Sequence, residues 1–177
     1  MPSVQAPEQR VAIVTAMGTI TVGIDVAAAP VTADNFLKYV RCGLIGGTSF
    51  YRIAAPCNQA AEKNKINIIQ GGLSEDLPPP FSPIEHEPTC RTGLRHRKGT
   101  LSMARRRLGS AAGSFFICLG DQPELDHGGR RHPDGQGFAA FGQVLDGMEV
   151  VRAIWMLAEC DLMLRQPVPI LSAALMM

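Results

Sequence analysis

Long hydrophobic runs are missing from this 177-residue sequence, and none approaches the ~20 apolar residues that a membrane-spanning helix needs. A charge excess is missing too. Seventeen Lys and Arg face 16 Asp and Glu, a formal net charge of +1, which excludes a chain built as a whole to bind polyanions. The five cysteines (Cys42, Cys57, Cys90, Cys118 and Cys160) are odd in number, and no two stand at metal-ligand or redox spacing. That argues against a zinc site or a disulfide framework and fits a reducing compartment. His86, His96, His127 and His132 are scattered, with no HExxH pair, nucleophile elbow or phosphate-binding loop. No metal and no cofactor are expected, and the histidines read as surface or structural residues. The first ten residues are polar and carry Pro2 and Pro7, unlike a signal peptide. A cytoplasmic location follows, or a periplasmic one if a signal peptide has been removed.

What is present is ordinary for a globular chain: 46% apolar and 19% charged residues, in a length that suits one domain. Residues 1–10 read as a flexible segment and 11–177 as the domain. Val11–Thr15 and Thr19–Ile24 alternate around Met17-Gly18, the pattern of a hairpin. A helix follows Pro30, with Thr32 as N-cap, Asp34 in its first turn, Phe36, Leu37 and Val40 on its buried face, and Gly43 as its stop. Thr48–Ile53, Ile66–Gln70, Gly99–Ala104, Ser114–Leu119 and Val168–Ala173 are further strand candidates, and Phe138–Gly142 is a short apolar run. Ala54–Lys65, the proline-rich Leu77–Pro83 and the glycine-rich Gly120–Gly137 read as loops. A second helix is expected behind Asp146 as cap, with Glu149 three residues on. Its stripe of Met148, Val151, Ile154 and Trp155 is core. Many short strands with two separated helices exclude a doubly wound sheet and favour a β barrel or sandwich.

Several stretches, in order, resemble the cyclophilin family. They are Phe50-Tyr51-Arg52-Ile53, Ile69-Gln70-Gly71-Gly72, Gly99-Thr100-Leu101-Ser102-Met103-Ala104, Ser114-Phe115-Phe116-Ile117 and Phe138-Ala139-Ala140-Phe141-Gly142, flanked by residues 29–36 and 147–151. The resemblance covers roughly residues 11–154. It implies a closed eight-stranded antiparallel barrel capped by two helices, with a substrate groove on its outer face, and a peptidyl-prolyl cis/trans isomerase that assists folding. It also implies roles. Arg52 is the central catalytic residue and Gln70 its hydrogen-bonding partner. Phe116 is the floor of the proline pocket and Leu125 its wall. Ala104 and Arg105 pair with the bound peptide, and Phe50, Ile68, Ser114 and Phe138 line the groove. Partners are X–Pro segments of proteins, and a monomer is expected.

The chemistry explains that residue set. Rotation about an X–Pro bond must overcome the amide's partial double bond, a barrier of about 18–20 kcal/mol. A fixed cation aimed at the amide nitrogen favours the twisted state, and arginine stays charged and rigid.

The sequence also departs from the family pattern. Arg52 and Gln70 stand 18 positions apart (70 − 52), longer than usual, so Ala54–Lys65 holds an insertion beside the site: a lid, a selectivity element or a plain surface loop. Asn67 and Ile68 replace a Phe and a Met, and the polar Asn67 is left out of the binding set. Ser114 stands where glutamine is common, Phe138 where some members have His, and Glu124 where some have Trp. A charge at 124 disfavours tight cyclosporin binding.

Two other readings remain. A catalytically weak proline-peptide binding module is motivated by Asn67 and Ser114. Nucleic-acid binding is motivated by Arg91, Arg95, Arg97, Lys98, Arg105, Arg106 and Arg107, but no aromatic lies among them to stack on bases, and the near-neutral total charge argues against the role. Residues 156–167 carry no motif.

Overall fold

The computed structural model describes residues 9–177. The N-terminal alternation forms a hairpin of Gln9–Thr15 (β1) and Gly18–Ile24 (β2), in which Val11 pairs with Val22 and Ile13 with Ile20, all four fully buried. β1 thus begins ahead of the expected boundary at Val11. Residues 1–8 of the expected flexible segment lie outside the described residues.

Six strands follow: Ser49–Ala54 (β3), Ile68–Gly72 (β4), Thr100–Met103 (β5), Ser114–Cys118 (β6), Ala140–Asp146 (β7) and Met163–Leu175 (β8). They close in the order β1-β2-β7-β5-β6-β4-β3-β8, with every neighbouring pair antiparallel. This is the eight-stranded barrel that the resemblance implied, and closure leaves no free sheet edge. Pro30–Arg41 (α1) packs on β7 and β8 and drives Phe36 between Phe115 and Phe141, at centroid distances of 5.3 and 5.1 Å. Thr89–Thr92 (α2) is a single turn that the sequence did not signal. Met148–Trp155 (α3) packs on β2 and β4, burying Val151 and Ile154 as its stripe required.

Both helix starts differ from expectation. Thr32 lies inside α1 rather than capping it, and Asp34 falls beyond the first turn. The exposed N–H groups are met instead by Glu87, 56 residues from Val31. Its carboxylate accepts from Val31 N–H at 2.6 Å, Thr32 N–H at 3.4 Å and Thr32 Oγ1 at 3.1 Å. α3 is preceded by Gly147, with φ +94°, and Asp146 ends β7 without capping the helix. A side chain at Gly147 would meet the Thr19 carbonyl, so glycine is required there. β8 is longer than the Val168–Ala173 expected, and Pro167 is tolerated within it because the ladder breaks there. Pairing with β3 jumps from Phe50↔Val168 to Arg52↔Met163, and the four residues between, Pro167 among them, make no ladder contact with β3.

Strand alternation separates two apolar clusters. Phe115 and Ile117 of β6 and Ile69 of β4 point into the barrel. Their neighbours Phe116, Cys118 and Ile68 form a second cluster on the outside, with Leu125, Ala104 and Ile66. One break in the period matters. The β3–β4 register shifts between Phe50 and Arg52, so Phe50↔Gly71 is followed by Arg52↔Gln70 with Tyr51 extra. Phe50 and Ile53 both enter the core, and the bulge puts Tyr51 and Arg52 together on the outer face.

Candidate functional site

The outer cluster floors a cavity of about 210 Å³ with Arg52 in its wall. Arg52 Nη1 donates to Gln70 Oε1 at 2.9 Å. Gln70 cannot turn over, because the donor-only guanidinium requires its amide oxygen; its Nε2 in turn donates to Tyr51 OH at 3.1 Å and to Ser114 Oγ at 3.0 Å. Those two hydroxyls lie 2.7 Å apart. Burial pushes the Tyr51 phenol above its ordinary pKa, and it stays a neutral hydroxyl at physiological pH. Burial also lowers the Arg52 pKa, the nearby Arg131 charge adding to that and Glu75 opposing it. A guanidinium remains charged regardless. Arg52 therefore has one donor fixed on a buried amide and further donors left for a ligand.

The apolar side is equally held. Phe116 lies on the cavity floor with Phe138 edge-on at 5.6 Å and the fully buried Leu125 beside them. Behind Phe116, the His96 ring stacks at 6.0 Å. His96 Nδ1 meets Asp126 Oδ1 and His96 Nε2 meets Ser102 Oγ, each at 2.8 Å. Burial opposes the Asp126 charge, yet the His96 hydrogen bonds hold its pKa below the ordinary value. Serine, histidine and aspartate stand in a hydrolase-like sequence of contacts, but Ser102 is fully buried and no substrate reaches it. The triad fixes the floor of the pocket.

A cavity pairing an apolar floor with an oriented cation suits a proline ring and its amide. The chain matches the family model for cyclophilin type peptidyl-prolyl cis-trans isomerase/CLD over residues 10–175. The chain belongs to the cyclophilin family. It is 36% identical over 148 residues to peptidyl-prolyl cis-trans isomerase A of Dickeya dadantii, covering 82% of this chain and 70% of that one. It is also 36% identical over 143 residues to the isomerase cyp18 of Streptomyces antibioticus, covering 79% of each. A Cryptosporidium parvum cyclophilin crystallised in the presence of the dipeptide Ala-Pro superposes with a TM-score of 0.76. That likeness covers 96% of this chain and 99% of that one at 21% identity, and bears on the fold alone. This cyclophilin is thus a peptidyl-prolyl cis/trans isomerase.

Most residues singled out from sequence meet at this cavity: Arg52, Gln70, Ile68, Phe116, Leu125 and Phe138 line it with Ala104 and Arg105. Phe50 does not. Its ring is fully buried inside the barrel, 5.9 Å from Phe115, because the bulge begins after it. The Arg105 side chain is taken up by its own fold. It makes two 2.9 Å hydrogen bonds to Asp134, donates to Gly137 O at 3.0 and 2.6 Å, and lies 5.2 Å from the Phe138 ring centroid. It braces the wall. Ser114 lies outside the Arg52 cavity and acts through Gln70, while lining a larger neighbouring cavity of about 680 Å³ that Ala104 and Tyr51 share. Asn67 is not among the lining residues. Glu124 is bound to Arg130 at 3.0 Å, which holds its pKa below the ordinary value.

The insertion is a built ledge. Pro56–Asn58 forms one 3₁₀ turn, and Gln59, 2% exposed, spans Ala55 O at 3.0 Å and Ile66 O at 2.6 Å. Asn58 Nδ2 donates to Ile53 O at 2.9 Å and Glu159 O at 3.1 Å, which gives the segment after α3 a role in holding the insertion. Tyr51 and Arg131 were missed from sequence. Tyr51 sits within the quoted motif, and its aromatic hydroxyl beside Arg52 was the available signal. Arg131 had none, because its place depends on two loops meeting. Of the basic run, Arg91, Arg95, Arg105 and Arg106 each meet a carboxylate: Glu85, Asp126, Asp134 and Asp76. Among the described residues no group of three or more His, Cys, Asp or Glu is placed to hold a metal, and no helix is long and apolar enough to cross a membrane.

Proposed function

We propose that this cyclophilin turns X–Pro bonds of protein segments in the Arg52 cavity, with Arg52 and Gln70 as its catalytic pair. The proline ring lies on Phe116, between Leu125 and Phe138. Ala104 contacts the peptide, and Arg52 directs its free donors at the prolyl nitrogen. Twisting the bond pyramidalises that nitrogen and frees its lone pair, so a hydrogen bond from Arg52 is stronger in the transition state than in either planar isomer. Gln70, oriented by Tyr51 and Ser114, keeps the guanidinium in place. No covalent bond forms or breaks, and no proton is transferred.

The observation that carries this reading is the Arg52–Gln70 hydrogen bond at 2.9 Å on the rim of a cavity floored by Phe116. NMR exchange on an X–Pro peptide tests it. Arg52→Ala should lower kcat/KM by roughly two orders of magnitude, the scale of one preorganised donor. An Arg52→Ala enzyme as fast as wild type would sink the assignment of Arg52 as a catalytic residue. The proposal extends to a monomer that assists folding in the cytoplasm. Five free cysteines and a barrel without open edges support it, and light scattering at the monomer mass checks the first part.

A further inference from the structure

The insertion at 54–65 and the loop at 120–137 meet at Arg131, whose side chain is 10% exposed. Its Nη1 donates to Gln59 Oε1 and to the Asn64 carbonyl, each at 3.0 Å, and lies 3.6 Å from a Glu62 carboxylate oxygen. Asn64 Nδ2 returns a hydrogen bond to Arg130 O at 3.3 Å. Both Arg131 hydrogen bonds thus leave from one nitrogen. The Nε and Nη2 donors have no protein hydrogen bond among the described residues, and neither is among the fully enclosed unpaired atoms. Arg131 lines the Arg52 cavity, which is where those donors can reach a ligand.

Two guanidiniums consequently share about 210 Å³. A third, Arg105, has its charge matched by Asp134. Glu62, about half exposed, is paired with Arg131 and offsets part of its charge. Glu75 is the carboxylate among the lining residues. It lies 3.5 Å from Gln70 Nε2 and also lines the larger cavity, so it belongs to the other end of the groove. The groove is therefore positive at the ledge and negative toward Glu75. Like charges held together in a half-buried cavity disfavour each other, and an entering carboxylate would relieve what Glu62 and Glu75 leave unmatched. The ledge that holds Arg131 there is itself locked by the buried Gln59.

We propose that Arg131 is a specificity residue, selecting X–Pro segments that carry an Asp or Glu side chain next to the proline. This rests on the isomerase reading. The small cavity takes the proline ring, and the neighbouring side chain lies at the rim, where the open donors of Arg131 offer a fork to a carboxylate. Glu75 disfavours an acid on the opposite side, so one flank of the proline is selected and the other is not.

NMR exchange on paired peptides tests this, with Glu or Gln placed just before or just after the proline and a neutral Ala-flanked peptide alongside. Wild type should prefer Glu over Gln by about tenfold in kcat/KM at one of the two positions, mostly through KM, and the preference should shrink with added salt. In Arg131→Gln the Glu/Gln ratio should fall to near one, and in Arg131→Lys it should recover in part. A wild-type ratio near one at both positions, with the neutral peptide turned over, overturns this inference and leaves the isomerase reading standing. So does a ratio in Arg131→Gln equal to wild type. No turnover of any peptide overturns both.

Discussion

Asp134→Asn tests whether an ion pair holds the wall of the Arg52 cavity. The Arg105 side chain is 1% exposed and meets both Asp134 oxygens at 2.9 Å, while its other face lies against Phe138. The amide keeps the shape and removes the charge. Removing one partner of a buried pair costs about 3–5 kcal/mol. Asp134 is 31% exposed and Gly137 O still accepts from Arg105, so the expected loss is lower, about 2 kcal/mol at neutral pH. The carboxyl pKa gives a second route. The Arg105 hydrogen bonds hold it at about 2, against an ordinary 3.8. That gap corresponds to roughly 2 kcal/mol before solvent screening, and about 1–2 after it. Because the folded value is depressed, the contribution is complete above about pH 4 and is lost as pH falls from about 4 toward 2. Asparagine does not titrate, so wild type should converge on the variant in that window. Urea unfolding of both proteins at neutral pH and in steps down to about pH 2.5 measures the difference. A neutral-pH penalty below about 0.5 kcal/mol, or one that does not shrink with acid, would refute the reasoning. With Phe138 less well braced, KM should rise more than kcat falls.

Three other outcomes are expected. Ser114→Ala removes one of the acceptors that orient Gln70 and should lower kcat about fivefold, the scale of one hydrogen bond, with KM little changed; an unchanged kcat would show that Tyr51 alone suffices. His96→Leu strands Asp126 and Ser102 beneath Phe116 and should cost about 2–4 kcal/mol by thermal unfolding, while serine-reactive acylating probes leave wild-type Ser102 unlabelled. Glu87→Gln weakens the remote cap of α1 and should cost about 1–2 kcal/mol in urea, with faster amide hydrogen exchange at Val31 and Thr32 than in wild type; unaltered protection there would show that Glu87 does not cap the helix.

The period of two in β6 set the site's basic division from the sequence alone. Phe115 and Ile117 had to share one face and Phe116 and Cys118 the other, because successive side chains leave a strand on opposite sides. The stripe on α3 and the motifs around Arg52 and Gln70 were legible for the same reason: each is local, carried by residues within a few positions of one another. Local pattern misled at Thr32 and Asp146. Both are good capping residues, but Thr32 falls inside α1, whose N–H groups Glu87 meets, and Asp146 stands one residue ahead of the Gly147 start of α3. Phe50 misled as well, because motif membership does not say which face a residue takes when the next position bulges.

Tertiary structure decided whatever depends on register between distant segments. The β3–β4 shift at Tyr51 brings Arg52 to the outer face, and nothing in Phe-Tyr-Arg-Ile marks it, since a bulge is defined only against its partner strand. Pro167 of β8 is tolerated because the ladder to β3 breaks where it falls. Arg131 reaches the cavity because the insertion supplies Gln59 and Asn64 from 72 and 67 residues away. Periodicity is a one-chain property, so it could place apolar faces. Closing the barrel, and bringing two guanidiniums into one pocket, required long-range pairings whose entropic cost only the assembled core repays.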